Sequence, residues 1–305
     1  ELDIPLMHDD QHGTAIISSA ALLNALEIAG KKIEDAKIVV NGAGAAANSC
    51  TRLYVALGAQ KKNIVMCDSK GVINSKRTDL NPRKEEFKTD RDINTLAEAV
   101  KDADVFLGLS KGNVLSQDMV RSMASNPIVF ALANPNPEIT YDDAMASRPD
   151  IIFGTGRSDY PNQINNVLGF PYIFRGALDT HSKAINEEMK LAAVRALAEL
   201  AKKPVPEIVS KAYGGKAMTF GKEYLIPTAL DPRLLETVAP AVAKAAIESG
   251  VARHEIKDWD AYRDQLRHRM GLNNKLIDGL RVRAKKAPKK VVFSEPNNVS
   301  VLSAA

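Results

Sequence analysis

Apolar and polar positions along the chain change rhythm repeatedly, and each change predicts an element. Over residues 14–29 Ala, Leu and Ile recur without Pro or Gly, which predicts a helix stopped at Gly30. Short apolar runs, most of them β-branched, follow at 37–41, 63–67, 104–109, 127–133 and 151–154, each bounded by Gly, Pro, Asn or Asp. Helix-length stretches lie between them at 45–57, 93–101, 116–123 and 141–147. Alternating strands and helices predict an α/β fold, a doubly wound parallel sheet with helices on both faces.

Beyond Gly154 the strand signals fade, and 163–178, 186–203, 232–249 and 259–270 read as additional C-terminal helices packed on the sheet. The third helix pattern back from the end, 186–203, has Glu187 and Glu188 in its first turn, Lys202 and Lys203 in its last, and Pro204 just beyond, so its start and stop signals are in order. There is no internal repeat or low-complexity tract. From Arg281 to Lys290 the chain turns basic, a pattern read as a solvated helix end or linker rather than an interaction tail, and Lys290 to Phe293 reads as a strand that ends almost at once.

Composition narrows the class. With 305 residues and 45% hydrophobic content a sizeable core is expected, while 41 basic against 37 acidic residues leave +4 with the signs interspersed, so nucleic acid is not an expected partner. No uninterrupted apolar stretch of about 18 residues argues for a membrane span, and Glu1, Leu2 and Asp3 do not open a secretion signal. Cys50 and Cys67 make neither a disulfide framework nor a zinc site, so a reducing, cytoplasmic setting is expected. The chain begins without Met, which suggests a fragment.

Directly after the strand at 37–41 comes Gly42-Ala43-Gly44-Ala45-Ala46-Ala47, matching G-x-G-x-x-[GA] in the strand, turn and helix context that dinucleotide binding requires. Gly42 permits the tight turn, Gly44 lets backbone approach a pyrophosphate, and Ala47 keeps the helix near the sheet. The first-turn N–H groups at Ala45 and Ala46 face the phosphates. Such a fingerprint alone also describes an ordinary tight turn, but its context and Asp68 at the end of the next strand favour a Rossmann-like fold. Asp68 is placed to hold a ribose hydroxyl, which favours NAD; Ser69 and Lys70, followed by Arg77, Arg83 and Lys84, are cationic or polar partners for a 2′-phosphate, although the plainer reading of 70–84 is a polar surface loop.

At the front, His8-Asp9-Asp10-Gln11-His12-Gly13-Thr14 sets two carboxylates and two histidines in a loop before a helix. One carboxylate can ligate a hard cation such as Mg²⁺ or Mn²⁺ while the other orders a neighbouring base; helix capping is the simpler account, and Gly13 argues against zinc at the histidines.

Several segments together resemble the malic enzyme family in its bacterial NADP-linked form: residues 8–15, Asn41 to Ala46, Asp68-Ser69-Lys70-Gly71, Ala133-Asn134-Pro135, and Asn165-Asn166 ahead of Phe170-Pro171. The resemblance runs from about Leu2 to Gly250. It implies Asp10 as a metal ligand and Asp9 as part of the network around a catalytic lysine and the metal. It also implies Asn134, Asn165 and Asn166 beside the substrate carboxylates and the nicotinamide, although a turn before Pro135 and polar helix positions account for these asparagines locally. Ser69 and Lys70 would receive a 2′-phosphate, which moves NADP ahead of NAD. The implied reaction is oxidative decarboxylation of malate to pyruvate by a homo-oligomer with Mg²⁺ or Mn²⁺. The family's catalytic tyrosine, catalytic lysine and a Glu-Asp metal pair are expected upstream of Glu1, so the chain alone need not turn over. Residues 1–30 are then expected to end an N-terminal malic domain, 31–250 to form the NAD(P)-binding domain, 251–287 a helical linker, and 288–305 the start of a phosphotransacetylase-like domain. Two other expectations stand beside this one: a non-catalytic NAD(P)-binding module, and a Rossmann dehydrogenase of the amino-acid or folate type, which would need no divalent metal.

Overall fold

Five apolar runs form parallel strands: β1 (Ile38–Asn41), β2 (Ile64–Asp68), β4 (Val105–Gly108), β5 (Ile128–Ala131) and β6 (Ile152–Thr155). They appear in a computed structural model that describes residues 4–215, 217–270 and 283. A two-residue strand, β3 (Gly71–Val72), pairs antiparallel with β2 and completes the order β3-β2-β1-β4-β5-β6. The 71–72 pairing has no apolar run behind it and was not expected from sequence. Register is direct: Val40 lies opposite Met66 on one side and Leu107 on the other.

The parallel strands are buried on both faces, and that explains their continuous β-branched character. Ile38, Val40, Met66, Leu107 and Phe130 belong to one core layer, and Val39, Val65, Phe106, Val129 and Phe153 to the other. The first layer is covered by α1 (Thr14–Ala29), α2 (Ala45–Ala56), α7 (Phe170–Asp179), α8 (Glu187–Lys202) and α10 (Arg233–Glu248). The second is covered by α4 (Leu96–Val100), α5 (Gln117–Ser122) and α6 (Tyr141–Ser147). Two short helices, α3 (Pro82–Glu85) and α9 (Glu207–Ala212), lie outside the expected set, and α11 (Trp259–Arg269) is last among the described residues.

Local signals set the ends. Gly30 terminates α1 at φ 68°, in the left-handed region that a helix C-cap favours. The expected 93–101 helix begins at Leu96 because Thr95 and Glu98 form a reciprocal capping box. The expected 163–178 helix starts at Phe170, with Pro171 in its first turn; Asn165 and Asn166 precede it, and the Asn165 side chain accepts the Val167 N–H to close a 3₁₀ turn. Helix α1 is buried over most of its circumference, and inside it Asn24 donates to the Ala198 and Leu225 carbonyls at 2.9 and 2.8 Å. The chain forms two units, Glu1–Arg263 and Asp264–Ala305. The strand expected at 290–293 and the domain start expected at 288–305 lie outside the described residues. No helix among the described residues is long and apolar enough to cross a membrane.

Candidate active site

In a parallel sheet every crossover leaves from the same edge, so the loops after β1, β4, β5 and β6 converge above the carboxyl ends of the strands. The order reverses between β1 and β4, and open α/β sheets form their ligand crevice at such a switch point. Gly42 follows β1 there, with φ 135° and its N–H donated to the Cys67 carbonyl at 2.8 Å. A Cβ at Gly42 would stand 3.0 Å from the Leu109 carbonyl, so both conformation and space require glycine. Gly44 is exposed, and a Cβ there would meet nothing within 4 Å. It caps α2 without a side-chain hydrogen bond, so the first-turn N–H groups of Ala45, Ala46 and Ala47 are open to an anion. Ala47 is buried against the sheet. This turn has the open space, free donors and dipole that a pyrophosphate needs.

The β2 end carries the charged cluster. Asp68, its side chain 7% exposed, accepts two hydrogen bonds from Arg77 at 2.7 and 3.0 Å and one from Lys84 at 2.6 Å. Burial would raise its pKa, but Arg77, Lys84 and the Lys70 N–H more than offset it and hold the carboxyl at about 2. Arg77 and Lys84 are therefore not loose loop cations; they neutralise the one group expected to repel a 2′-phosphate. Arg77 also reaches Asp79, which the sequence reading did not single out. Lys70 pairs with Asp79 at 2.6 Å and remains exposed beside Ser69.

Across the crevice, residues 8–14 are not the expected loop. Asp9–Gly13 is a wide π-helical turn running straight into α1. A Cβ on Gly13 would overlap the Asp9 carboxylate and lie 3.2 Å from the Asn166 Cβ, so Gly13 lets these two groups close on each other. Asn166 donates to the Asp9 carbonyl at 3.1 Å and accepts from the Thr14 hydroxyl at 3.1 Å. Burial, reinforced by the charge of Asp10, pushes the Asp9 carboxyl above its ordinary value, while Asn166 and His8 oppose the shift. Its Oδ1 is buried and has no hydrogen-bond partner among the described residues. His12 lies 3.3 Å from Lys190, and burial together with that neighbour pushes its pKa down.

Asp9, Asp10, Asn134, Asn165 and Asn166 line one cavity of about 390 Å³, together with Leu109, whose carbonyl also walls the Gly42 turn. Asn134 comes from the loop after β5, beside Gly156 after β6. The structure thus brings the two front carboxylates and all three asparagines to one place, adjoining the glycine turn, and keeps the Asp68 cluster apart at the β2 end. Leu109 had no signal in sequence, and Gly13 and Thr14, read there only as members of the front segment, take their roles from their closeness to Asn166, far along the chain. No group of three His, Cys, Asp or Glu among the described residues is positioned to hold a metal. Two carboxylates, one with an unpartnered oxygen, are nevertheless the donors an oxygen-preferring cation takes when it also keeps water or substrate.

Residues 11–210 match the family described as malic enzyme, NAD binding domain. A probable NADP-dependent malic enzyme of Rickettsia prowazekii (strain Madrid E) is 53% identical over 308 residues, covering 100% of this chain and 40% of that protein. An NAD-dependent malic enzyme of Rhizobium meliloti (strain 1021) is 50% identical over 307 residues, again 100% of this chain and 40% of that protein. The crystal structure of Entamoeba histolytica malic enzyme superposes with a TM-score of 0.78 at 36% identity, over 95% of this chain and 59% of that one. The chain thus spans about 40% of the length of these curated relatives. With the family matched over the whole of a sheet whose carboxyl edge holds both the glycine turn and the carboxylate cavity, this chain belongs to the malic enzyme family.

Proposed function

We propose that this chain supplies the NADP site and part of the substrate site for oxidative decarboxylation of malate to pyruvate and CO₂. One observation carries this reading: the front carboxylates and the three asparagines share a cavity whose Leu109 wall also bounds the glycine turn. A dinucleotide with its pyrophosphate on α2 then has its nicotinamide end directed toward that cavity.

The chain's own residues have separable tasks. Gly42, Gly44 and the α2 N-terminus hold the pyrophosphate. Lys70 and Ser69 take the 2′-phosphate, with Arg77 and Lys84 cancelling Asp68, and this favours NADP over NAD. Asn134, Asn165 and Asn166 have carboxamides able to donate to substrate carboxylates or the nicotinamide amide. Asp10 and the free oxygen of Asp9 hold Mg²⁺ or Mn²⁺, which when bound would supply Lewis-acid polarisation of the substrate oxygens. Asp9, fixed through Asn166 and Gly13, equally offers an acceptor to an incoming ammonium, the role the family resemblance implies for it. Two free, buried thiols suit a reducing compartment, so the protein is taken to act in the cytoplasm; the homo-oligomer rests on the family resemblance alone.

Steady-state assay with malate, NADP and Mn²⁺ tests the reading. Metal-dependent NADPH formation supports it; cofactor binding without turnover under any metal supports a binding module instead, and turnover indifferent to divalent metal favours a different dehydrogenase class.

A further inference from the structure

Glu138 is a carboxylate with no place in the chemistry above, yet it is 0% exposed and lies within the crevice edge. It belongs to the loop after β5, four residues beyond Asn134. Its Oε2 accepts the Ala133 N–H at 3.1 Å and its Oε1 the Ser110 N–H at 3.2 Å. Its own carbonyl accepts the Leu115 N–H at 3.0 Å, and the neighbouring Pro137 carbonyl accepts the Asn113 N–H at 3.0 Å. The loops after β4 and β5 are thereby zipped together. Space for the carboxyl is made by Gly108 inside β4, where any Cβ would overlap it.

Those two loops bound opposite ends of the proposed dinucleotide site. Ser110 accepts from the Asn41 side chain at 3.1 Å, and Leu109 packs against the Gly42 turn at the pyrophosphate end. Ala133 precedes Asn134 at the cavity end. We infer that Glu138 is a positioning residue: its two carboxylate oxygens, each held by the N–H of a different loop, set the distance between the pyrophosphate turn and Asn134.

An ionised carboxylate suits this task better than any other side chain of its size. Two separate N–H donors need two acceptors, and glutamine offers one oxygen while turning its NH₂ against the second N–H. Burial pushes the Glu138 carboxyl above its ordinary value, and the N–H donors oppose that shift. This inference rests on the crevice being the NADP site.

The test compares a whole cofactor with its adenosine half. Glu138→Gln is expected to bind adenosine 2′,5′-bisphosphate within about twofold of the wild-type chain, because that probe reaches the β2 end and the glycine turn but does not extend to Asn134. NADPH, which must satisfy both ends at once, is expected to bind about tenfold more weakly, with reduced emission from its bound nicotinamide; tenfold is the lower part of the range for one buried N–H losing its acceptor. Unchanged NADPH affinity and emission would overturn the inference, as would equal weakening of both probes in a cooperatively melting protein. Should the glutamine variant fail to fold, Gly108→Ala displaces the same carboxyl without removing an acceptor, and the same two outcomes decide. A wild-type chain that binds neither probe overturns the cofactor reading and this inference with it, a result distinct from a variant that merely behaves as wild type.

Discussion

Replacing Lys70 with Glu isolates the phosphate assignment from the rest of the cofactor site. The Lys70–Asp79 pair has side chains 68% and 39% exposed, and a pair that open contributes about 1 kcal/mol or less, so Lys70 is free to turn to a ligand at little cost. A 2′-phosphate carries close to two negative charges. At a water-like dielectric each unit pair near 4 Å is worth about 1 kcal/mol, giving about 2 for the dianion, and reversing the lysine's charge doubles the loss to about 4. Salt at about 0.15 M screens part of this, leaving roughly 2–3 kcal/mol, or a 30- to 150-fold loss in affinity. NADH carries no such phosphate and is expected to change by less than about threefold on the same scale. Fluorescence titration of both reduced cofactors at low and high salt measures the ratio. Equal losses for NADPH and NADH, or a ratio insensitive to salt, would refute the assignment.

Three further outcomes follow from geometry. Gly42→Ala combines a backbone at φ 135° with a Cβ 3.0 Å from the Leu109 carbonyl, so about 1–3 kcal/mol of strain should lower Tm by several degrees and weaken NADPH at least tenfold; calorimetry showing an unchanged Tm would count against the strained turn. Asn24→Ala removes both hydrogen bonds of a fully buried side chain and leaves the Ala198 and Leu225 carbonyls unpaired, so urea unfolding should show about 2–4 kcal/mol of lost stability, and less than about 1 would argue that the pin is not formed. The carboxyl of Asp68 is held down at about 2 from an ordinary 3.8, so its pairing stabilises the fold above the ordinary carboxylate range, and that stability is lost as pH falls through about 2; the stability gap between wild type and Asp68→Asn should close over this window, and a gap that stays constant would disprove the pairing.

Much of the scaffold was legible because its signals are local. Five apolar runs became the five parallel strands within a residue or two at most ends, since both faces of each are buried and a continuous apolar run can do nothing else. Gly30 marked the end of α1 through a backbone constraint that holds in any context. The miss at 163–178 has an equally specific cause: Asn165 satisfies a backbone N–H with its own side chain and closes a turn where the composition suggested helix. The loop expected at 8–14 failed for the opposite reason. Gly13 weakens an isolated helix, but here it is the only residue that admits the Asp9 carboxylate beside Asn166.

By itself the sequence determined the alternation of elements, the glycine turn and the set of candidate polar residues, because propensity, capping and backbone freedom act over a few positions. Tertiary structure alone decided which charges cancel and which stay available. Asp68 lost its freedom to Arg77 and Lys84, nine and sixteen residues onward, while Asp9 kept an oxygen without a partner among the described residues and lines a cavity with asparagines more than a hundred residues away. Electrostatics and hydrogen bonding depend on distance in space and on burial, and neither is defined until the sheet has brought its loops to one edge.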